Sequence, residues 1–373
     1  MTTLSNIKLF DGTRFRDETS ISIHDGIITE LGNTTTGIDM GGKMLSPGLI
    51  DLHMHGQMGE ESMRPGGVVR IAFTQLMFGV TSFCPASVTD SDENTRIFLE
   101  NVRQAMISPK GARVLGAYLE GPYLDHDLRG VHDERYIKDP SVSHYIELVD
   151  GYEDIIARVT LAPEKNGGME LVQYLADQGI TVSIGHSAAN AEETMDAIRH
   201  GVNTTTHTFN AMHPLHHRQP GVLAVALTHP DISAEFIADM IHIDPLIVKL
   251  IYLAKGVEKC FYCTDSMEAA GMPDGDYQLG PSTISVENGI ARKGDRLAGS
   301  TLTMDHGLRL LVEQAGIPLH DALRMGTRNP ADIIGRTDIG RLLPGAKADF
   351  VLWDESLHVK ATYVDGQCLY CAD

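Results

Sequence analysis

The fragment Asp51-Leu-His53-Met-His55 sets three polar side chains at alternate positions of an otherwise apolar run. In an extended strand that spacing puts Asp51, His53 and His55 on one face and Leu52 and Met54 on the other. Two imidazoles beside a carboxylate are costly to bury without partners and well placed to share a metal ion. Further along, four more apolar runs finish in the same chemistry: Tyr118-Leu-Glu120, Ser183-Ile-Gly185-His186, Thr206-His207 and Cys263-Thr264-Asp265. Each alone is a weak signal, since a lone His after a strand is more often a hydrogen-bonded structural residue. Together, Glu120, His186, His207 and Asp265 form a mixed imidazole and carboxylate set that accepts a divalent metal such as Zn²⁺, Fe²⁺, Co²⁺ or Mn²⁺. That set suits metal-assisted hydrolysis, with Asp265 taking a proton from the attacking water and returning it to a departing amine. His132, in the polar segment Arg129-Gly130-Val131-His132-Asp133, is either a donor to the developing oxyanion or an exposed loop residue. The run Asn210-Ala211-Met212-His213-Pro214 continues to His217 and Arg218, and His242 follows later. These groups either hold an anionic substrate group such as phosphate or belong to a solvated loop.

Such residues must be brought together by the strands that carry them. Strand-like apolar runs are expected at 49–55, 80–85, 114–120, 158–162, 181–186, 204–207, 234–239 and 261–265. Helix-like segments at 68–78, 93–106, 170–178, 191–200 and 245–255 alternate with them. About eight βα units over some 250 residues point to a (β/α)₈ barrel, whose active site lies at the C-terminal ends of its strands. No GxGxxG follows an early strand and no GxxxxGK[ST] occurs, which counts against a doubly wound nucleotide-binding sheet. Short strands with DG turns at both ends of the chain suggest one small β domain, 1–46 with 345–373, around a barrel spanning 47–344. Asn288-Gly289 centres an expected β-hairpin insertion at about 277–297.

Composition narrows the partners. The 373 residues carry 30 Lys and Arg against 50 Asp and Glu, a net charge of −20 with His neutral. A chain this acidic repels nucleic acid and anionic membranes, and no run of five basic residues offsets that. No apolar stretch is long enough to span a bilayer, and the start lacks the order of a signal peptide, so a soluble, cytoplasmic protein is expected. The 5 Cys include Cys260 with Cys263 and Cys368 with Cys371 at CxxC spacing. Residues three apart in a strand point to opposite faces, so unlinked thiols are expected over a four-thiolate zinc site.

With these residues in view, the chain resembles the amidohydrolase superfamily and, within it, the N-acetylglucosamine-6-phosphate deacetylase family. The resemblance rests on Ser46-Pro47-Gly48-Leu49-Ile50-Asp51-Leu52-His53-Met54-His55-Gly56, Leu119-Glu120-Gly121-Pro122, Leu161-Ala162-Pro163-Glu164 and Gly185-His186-Ser187. It continues in Thr206-His207 with Asn210-Ala211-Met212, Thr264-Asp265, Leu297-Ala298-Gly299-Ser300, Asn329-Pro330-Ala331 and Pro344-Gly345 with Ala348-Asp349. It implies a β-sandwich from both termini around the barrel, and hydrolysis of the N-acetyl amide of a 6-phosphorylated amino sugar. By the same resemblance, Glu120, His186 and His207 hold the main metal, and His53 and His55 are candidates for a second, giving one or two ions per subunit. Asp265 becomes the general base and acid, and His132 the contact to the acetamido carbonyl. Asn210, Ala211, Arg218, His242, Ala298, Gly299 and Ser300 become substrate contacts, with Arg218 and His242 at the phosphate. A homodimer in which the neighbour lends part of the phosphate grip is also implied. The rival readings are a deacetylase of the galactosamine epimer or another N-acyl compound, a cyclic amidase built on a carbamylated lysine, and a scaffold without activity.

Overall fold

The structure is a computed structural model that describes residues 1–107 and 111–372; residue 373, the end of the expected terminal domain, lies outside them. Eight parallel strands form the barrel: β1 (Leu49–Met54), β2 (Val80–Pro85), β3 (Ala117–Glu120), β4 (Ile156–Leu161), β5 (Thr181–Ile184), β6 (Val202–Thr205), β7 (Ala234–Ile237) and β8 (Cys260–Cys263). Ladders join β1 to β2, β3 through β6 in order, and β7 to β8. Single parallel bridges, Ala86 to Tyr118, Thr204 to Ser233 and Met54 to Ser266, close the gaps into a ring. Strands covered on both faces read as continuous apolar runs, which is why every residue of β1 and β2 is buried.

The run expected at 114–120 is broken. Arg113–Val114 pairs with β2, and the chain restarts as β3 at Ala117. Gly116 permits the break: it has φ +144°, and a Cβ there would meet the Ala157 Cβ at 2.7 Å. The expected hairpin is a four-stranded antiparallel meander, Gly275–Leu279, Ser282–Glu287, Ile290–Lys293 and Arg296–Leu297. Its Asn288-Gly289 turn has positive φ at both residues, the primed geometry that Asn-Gly favours. Helices Gly67–Gln75, Asp92–Ile107, Gly168–Asp177, Ala191–His200 and Pro245–Lys255 lie where periodicity put them. Asn190 and Glu193 form a capping box at the start of Ala191–His200. Five further helices, Val142–Val149, Gly221–Thr228, Met304–Glu313, Leu319–Gly326 and Arg328–Ile333, were not expected from the sequence.

Both ends of the chain share a five-stranded sheet made of Lys8–Leu9, Met44–Pro47, Phe350–Trp353, Val359–Val364 and Gln367–Cys371. A four-stranded sheet from the N-terminal segment faces it, and Leu4, Ile21, Ile28, Leu45, Phe350 and Leu352 pack between them. Among the described residues no helix is long and apolar enough to cross a membrane.

The barrel interior beneath the strand ends is polar. Tyr118, Thr160 and Thr206 share hydroxyl hydrogen bonds of 2.5 to 3.2 Å. Asp51 accepts from the Thr264 hydroxyl at 2.6 Å and the Thr264 amide at 3.3 Å, sealing β1 against the end of β8. Burial pushes the Asp51 carboxyl up to about 7 despite those bonds. Cys260 and Cys263 turn to opposite sides, one toward the Ile251 carbonyl and the other toward that of Phe236, and all five thiols are free.

Candidate metal centre

At the C-terminal rim the side chains that the strands deliver meet in one cavity of about 420 Å³, lined by His55, Glu120, His132, His186, His207 and Asp265. Glu120, the last residue of β3, stands between two groups. Its Oε1 lies 3.1 Å from His207 Nε2 and 3.4 Å from His186 Nε2. Its Oε2 lies 3.2 Å from His55 Nε2 and 3.4 Å from His53 Nε2. Asp265 Oδ1 completes the second group at 3.1 Å from His55 Nε2 and 3.4 Å from His53 Nε2. Two triplets of potential ligands result, Glu120 with His186 and His207, and His53 with His55 and Asp265.

The donor set fits divalent cations. Ligands about 2.0–2.1 Å from a tetrahedral ion stand roughly 3.3 Å apart, the separation found here. The His186 Nδ1–H donates to the Leu128 carbonyl at 2.8 Å, so its Nε2 presents a lone pair to the cavity. His53 is held likewise through Nδ1, by Glu235 Oε1 at 3.0 Å, and its buried Nε2 has no hydrogen-bond partner. A cation placed between these imidazole nitrogens and the carboxylate oxygens that face them would be bound by both. The local field favours one: against burial, which lowers them, Asp265 and Glu120 raise His53 well above its ordinary value and His55 to about 9. Against burial, which raises it, the His53 and His55 imidazoles bring Asp265 down to about 2, leaving it a carboxylate at neutral pH.

Backbone strain marks the same places. His186, His207 and Asp265 have φ of 49°, 31° and 49°, a left-handed conformation uncommon for residues with a Cβ. Each lies two residues past its strand, where such a turn swings the side chain over the barrel mouth. Strain of this kind concentrates at functional sites. Gly185 serves the same end, because a Cβ there would lie 2.5 Å from the Thr206 Cβ. Gly185→Ala is expected to cost about 1–3 kcal/mol through overpacking, read as a lower urea midpoint at unchanged slope.

His132 is not an exposed loop residue but buried. Its Nδ1 accepts the Thr89 N–H at 3.2 Å, which puts the ring proton on Nε2, facing the cavity 3.6 Å from Glu120. Burial pulls its pKa down to about 3, so the ring is a neutral donor at working pH. Asn210, Ala211, His242 and Gly299 line the cavity, and the Asn210 Nδ2 is buried without a hydrogen-bond partner. His242 Nδ1 bonds Asp239 Oδ2 at 2.7 Å, which raises the imidazole's pKa against its burial.

Three expected contacts sit elsewhere. Ala298 packs in the apolar core of the meander, and the Ser300 hydroxyl donates to the Thr264 carbonyl at 2.6 Å. Ser300 also holds the end of β8, its N–H on the Asp265 carbonyl at 2.7 Å. Arg218 lines a separate cavity of about 720 Å³ with His213, His216 and Asn190, its guanidinium on His217 at 2.8 Å. The cationic side chain that lines the metal cavity beside His242 is instead Arg296, from the meander, bonded to the Gly130 carbonyl at 2.8 Å. Lys165, the lysine weighed for a cyclic amidase, is paired with Asp125 at 2.5 Å, and among the described residues no lysine lines the metal cavity.

Residues 44–369 match the amidohydrolase family. Among characterised relatives, the N-acetylgalactosamine-6-phosphate deacetylase of Escherichia coli O157:H7 is 33% identical over 94% of both chains. The N-acetylglucosamine-6-phosphate deacetylase of Rattus norvegicus is 35% identical over 90% of this chain and 85% of its own. Among solved structures, an N-acetyl-D-glucosamine-6-phosphate deacetylase variant from Mycobacterium smegmatis, in complex with N-acetyl-D-glucosamine-6-phosphate, superposes with a TM-score of 0.93 at 29% identity, covering 99% of each chain. The Thermotoga maritima enzyme of the same name gives 0.92 at 30% identity over the whole of both chains.

Proposed function

This chain belongs to the amidohydrolase family, and from that premise we propose that it is a deacetylase of N-acetylglucosamine 6-phosphate, releasing acetate and glucosamine 6-phosphate. The observation that carries the reading is the meeting of Glu120, His186 and His207 with Asp265 in one cavity. In this reading Glu120, His186 and His207 hold the main divalent ion, with His53 and His55 available to a second beside Asp265. When bound, the ion supplies Lewis-acid activation of water and of the scissile carbonyl near neutral pH.

The remaining work falls to side chains of the chain itself. Asp265 takes the proton of the attacking water and gives it to the amine, since an amide anion is too poor a leaving group to depart unprotonated. The His132 Nε2–H donates to the acetyl oxygen as negative charge grows on it. Replacing His132 by Phe keeps the bulk and removes that donor; kcat is expected to fall by about 10²–10³ with KM changed far less, measured by steady-state acetate release. Asn210 Nδ2 and His242 are poised to bind the sugar and its anionic group, with Arg296 adding charge from the meander. For Arg218 to serve the phosphate it must do so across a homodimer, since it lies outside its own metal cavity.

The galactosamine epimer is the second reading, favoured by the Escherichia coli relative that matches along nearly all of the chain. An acetate-release assay on N-acetylglucosamine and N-acetylgalactosamine, each with and without 6-phosphate, decides. The proposal expects the highest kcat/KM on N-acetylglucosamine 6-phosphate and a large loss without the phosphate. A preference for the galactosamine ester would replace the substrate, and no hydrolysis of any of the four would overturn the deacetylase reading.

A further inference from the structure

Below the metal-ligand triplets lies a charged pair to which the reaction above gives no part. Arg158 on β4 and Glu235 on β7 are both fully buried inside the barrel and ion-paired through Arg158 Nη1 and Glu235 Oε2. Arg158 is otherwise satisfied: Nε donates to Ser183 Oγ at 2.7 Å, Nη2 to the Thr205 carbonyl at 3.2 Å, and the guanidinium stacks 4.4 Å over the Tyr118 ring. Burying two charges is expensive, and well-packed apolar residues often replace such a pair at no cost to stability. Stability alone therefore explains its presence poorly.

The other carboxylate oxygen shows what it does. Glu235 Oε1 accepts from His53 Nδ1 at 3.0 Å and from the His207 backbone N–H, also at 3.0 Å. One oxygen thus grips a ligand from each triplet: the ring of His53, and the backbone of His207 at its φ of 31°. Glu235 also lies near Cys263 and His53 in a third cluster of metal-competent atoms. Both its oxygens are already engaged there, one by a guanidinium cation, so that cluster organises the centre above it rather than holding an ion.

We propose that Glu235, with Arg158 as its counter-ion, is the positioning residue that fixes the His53 tautomer and the His207 turn so that both Nε2 atoms face the metal centre. The inference deepens the metal-dependent reading and rests on it. Outer-sphere partners of metal-bound histidine typically govern metal affinity by about 10- to 100-fold.

The test is Co²⁺ titration of the chelator-stripped full-length protein, followed by its visible d–d absorption, in the wild type, Glu235→Gln, Glu235→Asp and the double variant Glu235→Leu with Arg158→Met. The double variant removes both charges together and so leaves no unpaired buried charge, while Glu235→Asp keeps the carboxylate but shortens its reach. Folding is checked separately by thermal melting. The expected result is Co²⁺ affinity lowered about 10- to 100-fold in every folded variant, the double variant included, with an altered d–d spectrum. A structural role alone would lower melting temperature and leave Co²⁺ binding intact. Folded variants binding Co²⁺ within threefold of wild type would overturn the inference while leaving the metal reading standing; wild-type protein that takes up no Co²⁺ would overturn both.

Discussion

Asp265→Asn is expected to lower kcat by about 10⁴, at the upper end of what one general acid–base group contributes, because the same carboxylate serves in both proton transfers. The amide keeps the shape of the side chain and loses the basic oxygen that faces His53 and His55. Asp265 follows β8, and its carbonyl accepts the Ser300 N–H, so its position is set by backbone contacts that the substitution leaves alone. Glu120, His186 and His207 remain as a complete triplet. Metal content at that triplet should therefore stay near the wild-type value while turnover collapses. Elemental analysis beside steady-state kinetics reads both, and a metal-loaded variant with turnover within tenfold of wild type would remove Asp265 from the acid–base role.

Glu120→Gln is expected to be more disruptive, because it strikes metal binding as well as chemistry. Its two oxygens face His186 and His207 on one side and His53 and His55 on the other. Removing that charge leaves the Nε2 atoms of His186 and His207 facing no carboxylate and those of His53 and His55 facing Asp265 alone. Loss of an outer-sphere partner alone costs about 10- to 100-fold in metal affinity, so loss of Glu120 as the proposed direct ligand should exceed about 100-fold. Turnover at limiting metal should fall in step. Metal retained at wild-type stoichiometry after dialysis would show that the Glu120 carboxylate is not a ligand.

Much of this centre was legible because strand chemistry is local. Period-two spacing put His53 and His55 on one face, and apolar runs ending in Glu120, His186, His207 and Asp265 marked the barrel rim. The DG and NG turns carried their own backbone signature. What escaped the sequence depends on contacts across the barrel. Glu235 sits in an apolar run, Ser233-Ala-Glu-Phe-Ile237, and nothing local says that it reaches Arg158 from three strands away. Its one available signal was a charge inside a strand buried on both faces, a position that requires a partner. Gly221–Thr228 is apolar on all sides and so shows no helical period. His132 stood open between an oxyanion donor and an exposed loop residue because its neighbours in sequence are polar, while the contact that fixes its ring comes from the distant Thr89. Arg218 matched by motif, yet its loop carries it into a separate cavity, and Arg296 reaches the metal cavity from the meander without any motif of its own.

The central claim is that Glu120, His186 and His207 hold a divalent cation on which amide cleavage depends. Its most direct test strips the protein with a chelator and follows acetate release from N-acetylglucosamine 6-phosphate as Zn²⁺ or Co²⁺ is added back. No acetate before addition, and activity that saturates at one or two equivalents per chain, is the predicted result. Wild-type rates from fully stripped protein would contradict it.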